Sequence, residues 1–206
     1  MATPKNERPD ETDRWPHLVG GHAALDFVNT DIVTGGDAEA DLLRSPAEFL
    51  AWCAFAGILP PAAVDAPLTP TQERSLLVDA GALRAAMRAI VEALVVGRDA
   101  DSGAWAALQA VHAEAIAHAA PLLEGGRLRW QWDPVPRAAL WFVANSAVDL
   151  LRDGAVHRIK ACPGCGFVFL DETRNGSRRW CAMEDCGTRE KVQRYVTKRA
   201  AARPAG

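Results

Sequence analysis

Apolar residues recur along most of this chain at helical spacing, and proline and glycine mark the breaks between the helices. Behind Thr69-Pro70-Thr71-Gln72, the residues Leu76, Ala80, Leu83, Met87, Ile90 and Leu94 are separated by alternating steps of four and three, the repeat of one helix face. Gly97 predicts the stop of that helix. Ser45-Pro46-Ala47-Glu48 is a start of the same kind, with a capping serine, a proline in the first turn and a glutamate placed to close a capping box. Phe49, Leu50, Trp52 and Cys53 then supply an apolar face, with Cys53 as a core residue, and Gly57 and Pro60-Pro61 end it. A third helix is predicted from Gly103 to Ala119, carrying Trp105, Leu108, Val111 and Ala115, with Pro121 as its stop. Asp133-Pro134 opens a last body helix through Leu140, Trp141, Ala144, Val148 and Leu151, ending at Gly154. Near the N-terminus, Gly20-Gly21 predicts a turn, followed by a short strand and a helix around Ala23–Asn29. Arg127–Trp132 alternates polar and apolar residues and predicts a strand. Thr34–Asp37 reads as a Gly-rich loop, and residues 1–14, which lack periodicity, read as a disordered tail. The fold class expected is mainly α with a small β component.

Composition adds limits. Just under half of the 206 residues are apolar, which is enough for a real core. No apolar run approaches the roughly 20 residues that span a bilayer. Met1–Asp13 is polar and lacks the apolar stretch of a secretory signal. These features predict a reduced, cytoplasmic protein without a membrane partner, in which five cysteines read as ligands and a spare rather than as disulfides. The net charge of −3 hides an asymmetry. His157–Gly206 holds eleven Lys/Arg and five Asp/Glu, a balance of +6, which leaves −9 for the rest. An acidic body with a basic C-terminal module suggests that the module alone meets a polyanion.

The cysteines define that module. Cys162-x2-Cys165 is followed, after fifteen intervening residues, by Cys181-x4-Cys186. A lone CxxC would read equally as buried thiols or a redox pair. A second pair at this distance points to one tetrahedral ion. Four thiolates complete the shell of a structural Zn2+ and leave no open position for chemistry. Iron–sulfur ligation also fits four thiolates; it ranks below zinc because the surrounding pattern suits zinc better. Pro163-Gly164 suits a tight knuckle. Phe167–Leu170 is predicted to pair in a hairpin with Arg178–Cys181, and the chain after Cys186 to become a helix, a treble-clef-like arrangement. The domains expected are thus a tail over 1–14, a body over 15–155 and a zinc finger over 156–206.

After Cys186, basic residues recur at helical spacing. Lys191, Arg194, Tyr195 and Lys198 share one face, while Val192, Val196 and Arg199 lie on another that could pack on the zinc core. With Arg178, Arg179 and Arg189 they make seven candidates for nucleic-acid contact: Arg178, Arg179, Arg189, Lys191, Arg194, Lys198 and Arg199. The alternative is a solvated basic helix on a zinc-stabilised module that docks a protein or a second copy. Within the body, Asp26, Asn29 and Thr30 are polar residues in an apolar stretch. With His22, Arg84 and Trp141 (or Trp130) they could line an effector pocket, although polar residues in such a stretch more commonly brace helix ends. No nucleophile–base spacing, phosphate loop or open metal site appears, and His17, His22, His112, His118 and His157 lack ligand spacing, so no enzyme is expected.

The stretch ACPGCGFVFLDETRNGSRRWCAMEDCGTREKVQRY resembles the CGNR-type zinc finger, through Cys162, Cys165, Phe169, Asp171, Asn175, Arg178, Arg179, Trp180, Cys181, Cys186, Gly187, Arg189 and Lys191. LVGGHAALDFVNT, with Leu25, Asp26, Phe27, Asn29 and Thr30, resembles the start of the ABATE domain that accompanies this finger. The resemblance implies a bacterial, stress-induced transcription regulator that binds DNA through the finger, with the body as sensor and homodimerisation open. Two positions depart from the finger's pattern: Thr188 stands where the family has Asn, and Thr173 where it has Ser.

Overall fold

Helix α4, Pro70–Val95, is the axis of the body. It begins in a complete capping box, in which Thr69 Oγ1 accepts from Gln72 N and Gln72 Oε1 accepts from Thr69 N. Leu76, Ala80, Leu83, Met87 and Ile90 are buried along one face, as their spacing predicts, and Leu94 is half-buried beside them. The computed structural model describes residues 18–31, 41, 43–64, 66–153 and 155–201. The expected tail over 1–14, the Thr34–Asp37 loop, His17 and the stop at Gly154 lie outside these residues.

Among the described residues six further α-helices flank α4 along the chain: α1 (Ala23–Val28), α2 (Pro46–Phe55), α3 (Pro61–Val64), α5 (Ser102–Ala117), α6 (Ala138–Asp153) and α7 (Thr188–Ala201). Phe27, Phe49 and Trp52 are fully buried and meet as tilted rings 5.8–6.1 Å apart, which joins α1 to α2. Cys53 is buried in the same core, and burial pushes its thiol well above the usual range, so it is an inert apolar residue. At the start of α2, Ser45 Oγ accepts from Glu48 N, but the Glu48 carboxylate reaches back one residue further than expected, to Arg44 N and its guanidinium.

Among the described residues there are also two sheets of two strands each: β1 (Ala120–Glu124) with β2 (Arg127–Gln131), and β3 (Ile159–Ala161) with β4 (Val168–Leu170), both antiparallel. β2 is the predicted strand. β1 was expected only as a helix stop, because it contains Pro121; an isolated pair has free edges on which proline costs no ladder bond. α6 starts four residues later than Asp133-Pro134 predicts. Pro134 and Pro136 keep the residues before them out of helical geometry, and turns from Asp133 and Val135 carry the chain to Ala138. No strand precedes α1 among the described residues; Gly20-Gly21 leads straight into it, with His22 as its N-cap.

The expected finger hairpin is also corrected. β4 pairs not with Arg178–Cys181 but with β3, just before the first cysteine, so the knuckle itself is the hairpin turn. This pairing places the finger against the body. Along β4 the side chains alternate: Val168 and Leu170 belong to the body's core, whereas Phe169 belongs to a small separate core with Phe167, Cys162, Cys181 and Cys186. Ile159, opposite Leu170, also lies in the body's core. Among the described residues no helix is long and apolar enough to cross a membrane.

Candidate metal centre

The knuckle Cys162–Cys165 and the turn that carries Cys181 and Cys186 bring four thiols together, with all four sulfurs within 4.8 Å of one another. Cys165 Sγ lies 3.4 Å from Cys181 Sγ, which is 3.7 Å from Cys186 Sγ. A tetrahedron with metal–sulfur bonds of about 2.3 Å has edges of about 3.8 Å, so the constellation has the size of a zinc–thiolate site. Cys162, Cys181 and Cys186 are buried, Cys165 is half-buried, and none is in a disulfide. Without a cation the thiols cannot all ionise. Burial and neighbouring thiols push Cys165 up to about 12. Against burial, which raises it, N–H groups of Cys181, Gly164 and Cys165 bring Cys162 down to about 7. A divalent cation removes that conflict, and the four cysteines are able to bind one zinc ion.

Small residues let the two ligand pairs approach. Gly187 follows the last ligand directly, and a Cβ there would collide with the Met183 thioether and sit 3.2 Å from the Trp180 ring. A π-turn, Met183–Gly187, leads into α7, and the Thr188 hydroxyl donates to Met183 O at 3.0 Å. The hydroxyl that replaces the family's Asn thus ties α7 to the metal-binding turn. Thr173 likewise uses only its hydroxyl, which donates to Asp171 Oδ1 and accepts from Ser177 N, a role that serine could also fill.

Behind the ligands lies a polar scaffold. Asp171 is fully buried and accepts from Lys160 Nζ at 2.6 Å, from Arg178 N at 3.0 Å and from Thr173. Burial opposes its ionisation, but Lys160 and Thr173 outweigh it and hold the carboxyl well below the usual range. Arg178 occupies the centre. Its guanidinium donates to the carbonyls of Val19 (2.8 Å), Leu170, Trp180 and the ligand Cys181, and stacks 4.3 Å from the Phe169 ring. Arg178 is therefore committed to the fold, unlike Arg179, which is exposed beside Trp180. Arg158 and Lys160 were not singled out from sequence. Arg158 donates to Asp171 O and Thr173 O, and Lys160 also donates to Gly176 O and Arg178 O. Their Arg-x-Lys spacing just ahead of the first cysteine is the period of a strand face, the one signal that marked them.

The residues considered for an effector pocket are also engaged by the protein. Asn29 Nδ2 donates to Val168 O at 2.9 Å, and Val168 N donates to Asn29 Oδ1 at 2.8 Å. Thr30 Oγ1 donates to Phe27 O and accepts from Arg84, which forms a two-pronged pair with Asp41. His22 caps α1, Trp130 lies half-buried on β2, and the Trp141 ring stacks 4.5 Å from His118. The structure thus brings Asn29 to the finger, Thr30 and Arg84 to each other, and Trp141 to α5.

Asp26 accepts from Gly20 N at 2.7 Å, bracing the glycine turn; a Cβ on Gly20 would sit 2.9 Å from its carboxylate. Burial pushes the Asp26 carboxyl from its ordinary 3.8 up to about 6, against the N–H groups of Gly20 and Val19 and the charge of Arg178. The native state therefore holds this proton more tightly than the unfolded chain, so the contribution of Asp26 to stability falls as pH rises from 4 to 6. The full difference is on the order of 3 kcal/mol. Asp26→Asn keeps the acceptor and removes the titration. Its stability relative to the parent chain should be highest at pH 7 and decline by up to that amount towards pH 4, as read from urea unfolding at each pH. A pH-independent difference would contradict the raised value.

Comparison with known families agrees with this geometry. The family model of the CGNR zinc finger matches residues 158–199. The ABATE model, described as a putative stress-induced transcription regulator, matches residues 21–154. No curated protein matched the chain.

Proposed function

From the premise that the chain belongs to the ABATE family, whose model covers more than half of it, we propose that it is a zinc-containing transcription regulator that binds DNA through its C-terminal finger. The observation that carries this reading is the placement of basic residues around the metal centre. Arg179 on the loop before Cys181, and Arg189, Lys191, Arg194, Lys198 and Arg199 on α7, are all exposed. Of these, Arg194 is paired with Glu190 on the same helix. Arg178, the seventh basic candidate, holds the scaffold instead. Zinc, held by Cys162, Cys165, Cys181 and Cys186, supplies structure and no chemistry: it ties the knuckle to the turn from which α7 emerges. The acidic body keeps polyanions away from the rest of the surface. No enzymatic role is part of this reading; both matched families are regulatory or zinc-finger in description.

The body is proposed as the regulatory input. A change in α1 reaches the finger through Asn29, whose amide holds the backbone of β4, and through Gly20 O, which accepts from Leu170 N.

With four to six phosphates neutralised, the logarithm of the binding constant should fall against the logarithm of salt concentration with a slope of about −4 to −5. A gel-shift titration of the zinc-loaded protein against genomic fragments, repeated after chelation, measures this. A shift that survives chelation unchanged would separate DNA binding from the zinc finger. No shift at low salt would favour a protein-docking module instead.

A further inference from the structure

The face of α7 formed by Val192, Val196 and Arg199 could have packed on the zinc core, and it stays exposed instead. Every residue from Lys191 to Arg199 is exposed, and the helix meets the finger chiefly at the π-turn, Met183–Gly187, that leads into it. Val192, Tyr195 and Val196 are 56 %, 63 % and 56 % exposed. At 100° per residue these three form one ridge, which Arg199 continues one turn further on, with Lys191, Arg194 and Lys198 along one flank and Arg189 along the other, while Glu190 and Thr197 lie behind.

A polar helix that projects without a packed face has no reason of its own to carry that ridge. Its charge selects the occupant. A second copy of α7 would bring five cations against five, with one Glu on each helix. A lipid surface calls for large apolar anchors such as Leu, Phe or Trp, and two valines with a tyrosine do not supply them. The major groove of duplex DNA accepts a helix about 10–12 Å across and is lined by phosphates on both sides. In its floor, thymine presents the one apolar group among the base edges, its 5-methyl.

We propose that α7 reads base edges in the major groove, with Val192 and Val196 against thymine methyl groups and the flanking cations on the phosphates. This inference rests on the DNA-binding reading above and adds to it a specificity determinant and a class of site, one that contains A·T pairs at the ridge.

The test uses the full-length, zinc-loaded protein. A duplex enriched from a random-sequence pool is resynthesised with deoxyuridine in place of thymidine, which deletes only the methyl groups. Affinity should fall about fourfold for each methyl contacted. The doubly substituted V192A/V196A protein should lose this discrimination and bind both duplexes alike. Alanine is the better helix former, so α7 persists in that variant, as circular dichroism will verify. K191A/K198A should weaken binding to both duplexes equally and reduce the salt slope by about 2. Binding without enrichment of any sequence, equal affinity for the two duplexes, or undiminished discrimination by V192A/V196A would overturn the assignment and leave DNA binding standing. Failure to retain any duplex at low salt would overturn both. Concentration-dependent dimerisation abolished by V192A/V196A would place a second copy on the ridge and overturn it as well.

Discussion

Cys186→Ala should abolish stoichiometric zinc and, with it, the small core around Phe167 and Phe169. Three ligands remain, but the sulfur lost is the one that joins the turn before α7 to the knuckle. Zinc ligation of this kind is worth roughly 10–16 kcal/mol at neutral pH, far more than a core of two phenylalanines and a half-buried tryptophan can replace. The loss should not stop at the finger. Ile159 and Val168, on the hairpin that closes over the knuckle, are 4 % and 1 % exposed in the body's core. Each is worth roughly 1.5–3 kcal/mol when buried. The body should keep its helical circular dichroism but melt on the order of 10–20 °C lower. Metal analysis and thermal melts of the variant and the chelated parent check both halves. One zinc retained per chain would refute the assignment of Cys186. An unchanged melting temperature would mean that finger and body are energetically separate.

The second large effect belongs to Asn29. Its side-chain amide meets both the N–H and the C=O of Val168, in a site where all three groups are buried. Asn29→Ala leaves a donor and an acceptor without partners, each costing about 1–3 kcal/mol, for a loss of about 2–6 kcal/mol. Asn29→Asp should be at least as damaging although it is nearly isosteric. The carboxylate still accepts from Val168 N, but its second oxygen faces the Val168 carbonyl, where it can only repel or take up a proton. Urea unfolding at constant m-value, with hydrogen exchange at Val168 N–H, measures the effect. If the aspartate variant matched the parent chain, the paired-amide geometry would be wrong.

The sequence was legible where the residue type carries the physics by itself. Four cysteines at two spacings announce a metal site, and the Thr69 and Ser45 starts announce their helices, because capping and ligation are local chemistry. It was less legible where the partner is distant in the chain. Ile159-Lys160-Ala161 is too short to announce a strand, and its pairing with β4 depends on a knuckle that exists only once the thiols meet. Arg178 looks in sequence like its exposed neighbour Arg179; only the convergence of four carbonyls on its guanidinium separates them. The valines of α7 illustrate the opposite error. Their spacing is that of a packed face, but both remain more than half exposed.

The amide of Asn29 has a consequence beyond the joining of two cores. In the β3–β4 pair, Phe169 faces Lys160, so the N–H and C=O of Val168 and the N–H of Leu170 point to the open side of β4. That side is where another chain could add a strand, and its three residues are all apolar. Asn29 occupies the Val168 positions as a neighbouring strand would, and Gly20 O takes the N–H of Leu170. The body thus plugs the sheet's sticky edge with a single side chain and one carbonyl. Loss of Asn29 should therefore be visible as self-association at concentrations where the chain is still folded, before any loss of helix is seen.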